Sequence, residues 1–85
     1  MNDNEILEAV KEELNNSIGN DLTKGVNEIG QDESLFNLGL DSLNLVKFIV
    51  AVEDRFEIEF EDDDIMGKNW KNYNTIIELI KKRCN

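Results

Sequence analysis

The one residue in this chain placed to take part in covalent chemistry is Ser42, within Leu38-Gly39-Leu40-Asp41-Ser42-Leu43. Gly39 permits a tight backbone turn and Asp41 is a good helix N-cap, which leaves Ser42 in a first helical turn with its hydroxyl toward solvent. The chain has no histidine, so no Ser-His-Asp or Cys-His arrangement exists and no base stands ready to make Ser42 an attacking nucleophile. Such a serine can instead be a substrate. Free backbone N–H groups and the positive end of a helix favour an anion here, so a phosphodiester on Ser42 is expected to meet a compatible field.

The other reactive types offer little. Cys84 is the one cysteine, near the end of the chain, so it forms no disulfide and no zinc site and reads as an incidental thiol of a reducing compartment. Asp62-Asp63-Asp64 invites a calcium reading, but an EF-hand loop begun at Asp62 puts Met66 at the fifth position and Tyr73 where a bidentate glutamate is needed. No metal is therefore expected.

The elements that must hold Ser42 follow from the apolar period. Ile6, Leu7, Val10 and Leu14 predict an amphipathic helix over 3–17, ended near Gly19. The period then fails over 18–40, which predicts a long first loop whose Leu22, Val26, Ile29, Leu35, Phe36 and Leu38 are pinned onto a core. Leu45, Val46, Ile49, Val52 and Phe56 predict a second helix over 42–56 with those residues inward and Leu43, Lys47, Val50 and Asp54 on the opposite face. A short third helix is expected after Asp62–Asp64, stopped by Gly67, and a last helix behind a Thr75…Glu78 capping box. Ile58-Glu59-Phe60 is the lone, brief strand-like stretch, and Trp70 reads as a core or lid residue. The fold class expected is all-α: a small four-helix bundle with a long first loop and a short third helix.

With 85 residues there is room for a single domain, 1–85. Nine basic against 19 acidic side chains give a net charge of −10, a field that repels phosphate backbones and anionic lipid. Nucleic-acid and membrane partners are therefore not expected. The acidity is uneven: residues 1–64 hold 18 acidic and four basic side chains, residues 65–85 one acidic and five basic. The start of the chain carries acids where a secretory signal has bases, so a cytoplasmic monomer is the expectation.

The hexapeptide around Ser42 resembles the L-G-x-D-S-L signature of the acyl carrier proteins and their peptidyl-carrier relatives. Asp32-Glu33-Ser34-Leu35-Phe36-Asn37 upstream, Glu53 to Phe60 downstream and Tyr73 to Ile80 in the last helix are similar to the corresponding parts of that family, so nearly the whole chain is covered. The resemblance implies that Ser42 accepts a 4′-phosphopantetheine arm from coenzyme A through a phosphopantetheinyl transferase, that Asp41 assists recognition by that enzyme, and that Gly39 shapes the turn. It further implies that cargo is held as a thioester on the arm, and that the chain is a carried substrate rather than an enzyme. By the same resemblance, Leu43, Lys47, Val50, Glu53 and Asp54 form a docking face for acyl- or aminoacyl-loading and acyl-processing enzymes with basic surfaces.

The chain departs from housekeeping fatty-acid carriers at three places. Asn44 and Lys47 stand where acids are common, Glu61 where a proline often follows the apolar pair, and the connection 66–72 is longer, basic and contains Trp70. These favour a dedicated carrier of a polyketide or nonribosomal peptide pathway over the general fatty-acid carrier. Leu40-Asp41 before the serine favours acyl cargo over the Gly-His context of peptidyl carriers. The alternatives are an aminoacyl or peptidyl carrier and an unmodified acidic helical interaction module.

Overall fold

Three α-helices carry the core in the computed structural model, which describes residues 1–84: α1 Asp3–Ile18, α2 Ser42–Phe56 and α3 Tyr73–Cys84. Short 3-10 turns punctuate the connections at Gly19–Asp21, Val26–Glu28, Phe36–Leu38 and Gly67–Trp70. Helix α1 opens on a capping box in which Asn2 Oδ1 accepts from the Glu5 amide at 2.8 Å and Glu5 Oε1 from the Asn2 amide at 3.0 Å. It buries Ile6, Leu7, Ala9, Val10, Leu14 and Ile18, the expected stripe with Ala9 and Ile18 added. Arg55 of α2 reaches Glu12 at 2.8 Å and Glu13 at 2.9 Å, fastening the two helices at their solvent edge.

The loop over 18–40 is pinned as its apolar content required. Ile29, Leu35 and Leu38 are buried and Leu22 and Val26 are half-buried, whereas Phe36 lies exposed. Backbone bonds from Leu35 N to Lys71 O at 2.7 Å and from Asn74 N to Gln31 O at 3.1 Å tie the loop to the start of α3. The Tyr73 hydroxyl donates to Val26 O at 2.8 Å. Burial, with Glu33 nearby, pushes that phenol up to about 12, so it stays a neutral donor.

The short third helix is not formed, and the four-helix count gives way to three α-helices with 3-10 turns. Asp62–Ile65 makes a turn, and Gly67 begins a 3-10 turn instead of stopping a helix. The physical reason is Asp64, which points inward rather than toward solvent. Its carboxylate accepts from the Glu61 amide at 2.9 Å and meets Arg83 side-on, Nε at 2.6 Å and Nη2 at 2.9 Å. Arg83 Nη1 also holds Glu61 at 2.8 Å. A carboxylate used this way cannot sit in the solvated first turn of a helix.

One other expectation shifts. Helix α3 begins at Tyr73, because Asn72 is the capping residue: Asn72 Oδ1 accepts from the Thr75 amide at 2.9 Å and Thr75 Oγ1 from the Asn72 amide at 3.2 Å. Thr75 is thus the returning partner of a cap rather than the cap itself. No strand forms at Ile58–Phe60 among the described residues; Ile58 N and Phe60 N both turn back to Glu53, at 3.1 Å and 2.8 Å.

Pairing with Arg83, helped by the Glu61 amide and opposed by burial, holds the Asp64 carboxyl below the ordinary aspartate range. A depressed folded-state pKa gives stability that is present above the unfolded value of about 3.9 and lost as pH falls through the folded value. Arg83→Gln is therefore expected to lower the urea midpoint at neutral pH. The gap from the wild type should close as pH falls below about 4. A gap that stays constant down the acid limb would show that the pair contributes nothing.

Candidate functional site

The turn before α2 leaves Ser42 exposed at the helix start. Gly39 has φ 122° and ψ −6°, a conformation that side-chain-bearing residues rarely adopt, and a Cβ there would stand 2.3 Å from the Asp21 carbonyl oxygen. Thr23 fastens the same crossing, donating from its amide to Leu38 O at 2.8 Å and from Oγ1 to the same oxygen at 3.3 Å. Leu40 is buried, with its amide on Leu35 O at 3.1 Å. The backbone then emerges at Asp41, whose Oδ1 accepts from the amides of Leu43 and Asn44, both at 2.9 Å.

Ser42 follows, exposed at the first position of α2, and among the described residues no hydrogen bond engages its Oγ. The hydroxyl is free to react. One expectation needs correcting here: the Leu43 and Asn44 amides are not free for an anion, because Asp41 already uses them. What remains for a phosphodiester on Ser42 is the Ser42 amide, which makes no hydrogen bond among the described residues, and the general field of the helix's positive end.

Asn44 is the residue that sequence reasoning missed. Treated there as a departure from an acidic position, it is buried and joins three segments. Its Oδ1 accepts from the Asp41 amide at 2.7 Å, and its Nδ2 donates to Gly39 O at 3.0 Å and to Asp21 Oδ2 at 3.3 Å. The D-x-x-N spacing from Asp41 was the available signal, since the third helical residue commonly returns to the cap. An acid at 44 could not donate to the Gly39 carbonyl and would face Asp21 with like charge.

Along α2, the residues buried are Asn44, Leu45, Phe48, Ile49 and Val52. Val46, expected inward, is 60% exposed, and it stands beside Leu43 at 83% and Val50 at 49%. The inward stripe is led by Phe48 and Asn44, which rotates Val46 onto the solvent face with Leu43, Lys47 and Val50. Asp54 is also exposed, whereas Glu53 is half-buried and its Oε2 accepts from the Phe60 amide at 2.8 Å. Of the expected docking residues, then, Leu43, Lys47, Val50 and Asp54 share an accessible face, and Glu53 braces the segment after α2. A cleft lined by Asp21, Gly39, Asp41, Leu43, Asn44 and Lys47 opens beside Ser42.

A family model described as the phosphopantetheine attachment site matches residues 4–81 of this chain. The chain belongs to the phosphopantetheine-binding carrier proteins. The carrier is 33% identical to the acyl carrier protein of Exiguobacterium sibiricum over 82 residues, 95% of this chain and 96% of that one. It is 42% identical over 53 residues to an acyl carrier protein homolog of Mycoplasmopsis pulmonis, spanning 61% of this chain and 70% of that one. It is also 39% identical over 56 residues to the D-alanyl carrier protein of Streptococcus uberis, spanning 65% and 71%. Its fold matches, with TM-score 0.83 and 25% identity over 91% of this chain and 97% of the other, a chain in a crystal structure from another system. That structure holds an engineered glycine:[carrier protein] ligase of Bradyrhizobium japonicum complexed with a carrier protein from Agrobacterium tumefaciens and ATP.

Family membership makes this protein a carrier and not an enzyme, with 4′-phosphopantetheine as its covalently held cofactor. An exposed, unengaged serine hydroxyl on a rigid turn fits that group. Among the described residues no group of three or more His, Cys, Asp or Glu side chains is placed to hold a metal ion, and no helix is long and apolar enough to cross a membrane.

Proposed function

We propose that Ser42 carries the 4′-phosphopantetheine arm as a phosphodiester, and that the protein presents acyl intermediates to the enzymes of a specialised pathway of polyketide or nonribosomal peptide type, or of a fatty-acid pathway. The supporting observation is the Ser42 hydroxyl itself, free at the start of α2 on a turn that Gly39, Asp41 and Asn44 hold in shape. The terminal thiol of the arm supplies the thioester that holds the cargo; exposed Cys84 takes no part. Residues 1–85 act as one domain, a cytoplasmic monomer in this reading. The test is intact mass after incubation with coenzyme A and a broad-specificity phosphopantetheinyl transferase, where an unchanged mass rejects the reading.

A second reading, an aminoacyl carrier, draws support from likeness to a D-alanyl carrier protein and to a structure containing a glycine:[carrier protein] ligase. Loading assays with adenylating enzymes against acyl-transfer enzymes separate the two, and exclusive acyl loading rejects the second.

Partner enzymes dock, in this proposal, on the α2 face of Leu43, Lys47 and Val50, with Asp54 and the acidic stretch after α2 meeting basic groups on the partner. Leu43 is almost wholly in solvent, so truncating it removes no packing. Leu43→Ala is expected to lower kcat/KM for arm transfer about ten-fold, the effect of losing an apolar anchor, at an unchanged melting temperature. Unchanged kcat/KM both for the transferase and for a loading enzyme would remove Leu43 from the docking face.

A further inference from the structure

Cargo on an arm at Ser42 either lies inside the carrier or stays outside it, and the side of α2 that carries Phe48 decides which. Phe48 follows Ser42 by six residues, about 9 Å along the helix axis, within easy approach of anything attached there. The space facing it is filled by Trp70, which is completely buried. The indole meets Phe48 edge-on at 5.4 Å between centroids and Phe60 edge-on at 5.3 Å. Its Nε1 donates to the Asp64 carbonyl at 2.9 Å, and Asp64 is itself fixed by Arg83. Phe60, on the outer side, is held through its amide by Glu53.

A hydrocarbon entering this space has to displace a ring held by two aromatic neighbours and strand its N–H in an apolar interior. Close-packed interiors do not widen by small degrees, so a partial entry gains little. The cleft beside Ser42 offers no substitute: Asp21, Asp41, Asn44 and Lys47 make most of its lining polar or charged. A long hydrocarbon on this carrier thus finds no enclosed apolar space, only the open face of Leu43, Val46 and Val50, which leaves most of its surface in water.

Resting on the attachment reading above, we propose that Trp70 closes the interior to the cargo, and that the carrier's substrates are therefore short acyl or aminoacyl groups displayed outside the fold. Trp70 is in this sense a specificity-determining residue that never touches the reacting atoms.

The wild type, Trp70→Ala and Trp70→Leu are to be loaded by a broad-specificity transferase from acetyl-coenzyme A and from decanoyl-coenzyme A, with intact mass verifying one arm per chain. Melting temperature is then compared between the two loaded forms of each protein. For the wild type the forms should agree within about 2 °C, because neither chain is buried. For Trp70→Ala the decanoyl form should melt about 5 °C or more above the acetyl form, because the vacated space accepts the chain. Trp70→Leu, which keeps an apolar side chain, serves for the same comparison where the alanine variant does not fold. A wild-type decanoyl form that melts about 5 °C above the acetyl form, with a shifted tryptophan emission, overturns the proposal. Equal melting of both forms in the smaller-residue variants overturns the assignment to Trp70. A mass that never increases removes the attachment reading, and this inference with it, by a measurement separate from the melting comparison.

Discussion

Ser42→Ala is expected to abolish arm attachment completely while leaving the fold intact. The side chain is exposed and its hydroxyl makes no hydrogen bond among the described residues, so its removal breaks no contact. The cap of α2 belongs to Asp41, which bonds the Leu43 and Asn44 amides without help from Ser42. Alanine is also a good helix former, so the melting temperature should move by no more than a surface substitution does, about 0.5 kcal/mol in stability. Against that near-zero structural effect stands total loss of a covalent bond. Treated with coenzyme A and transferase, the wild type should gain mass and the variant none. The other serines do not replace it: Ser17 donates back to Glu13 O at 2.6 Å within α1, and Ser34 lies half-buried in the loop. A variant that still gains mass would place the arm elsewhere and end the reading.

Gly39→Ala is expected to have the largest effect on stability of any single methyl added to this chain. Two independent penalties combine there. At φ 122° a side chain is strained whatever space it has, about 1–3 kcal/mol. The new Cβ would also stand 2.3 Å from Asp21 O, and that oxygen is backbone, flanked by the Asp21–Asn44 and Thr23–Leu38 bonds, so it cannot simply swing aside. A loss of about 3 kcal/mol or more should follow, which for a domain of this size lowers the melting temperature by more than about 10 °C. Arm transfer should slow as well, because Asn44 and Asp41 are tied to the displaced segment. A melting temperature within about 2 °C of the wild type would mean that the turn relaxes freely and that Gly39 is a convenience.

Together the two substitutions separate what holds the site from what reacts there. Gly39 and Asn44 shape the turn, and Ser42, in the proposed function, carries the arm without supporting the turn. The distinction also explains why Asn44 escaped the sequence reading. Its one long-range partner, Asp21, twenty-three residues back, meets it only once the loop has crossed back over the helix start, and the Gly39 carbonyl turns toward it only in the folded turn.

Local order along the chain decides much of this protein. The apolar steps in 3–17 and 42–56 place α1 and α2 within a residue of their observed ends, and Asp41 caps as its type and position require. Periodicity and capping involve neighbours three or four residues apart, so they are visible without the fold. The Leu-Gly-Leu-Asp-Ser-Leu segment belongs to the same class of signal, because turn, cap and presented hydroxyl are consecutive. Even the pinning of the 18–40 loop is foreseeable from its apolar content, although its partners are not.

Packing alone decides the remainder. An acidic run at 62–64 looks like a solvated helix start until Arg83, nineteen residues on, draws Asp64 inward. Val46 matches the apolar period of α2 as well as its neighbours do, and only the arrival of Phe48 against Trp70 settles which stripe faces in. Trp70 itself could equally be a lid by composition; its two aromatic contacts and its bond to Asp64 O make it the plug of the core. Each of these outcomes depends on a contact between residues far apart in the chain, whose energy exists only after the helices have packed, and no local pattern records it.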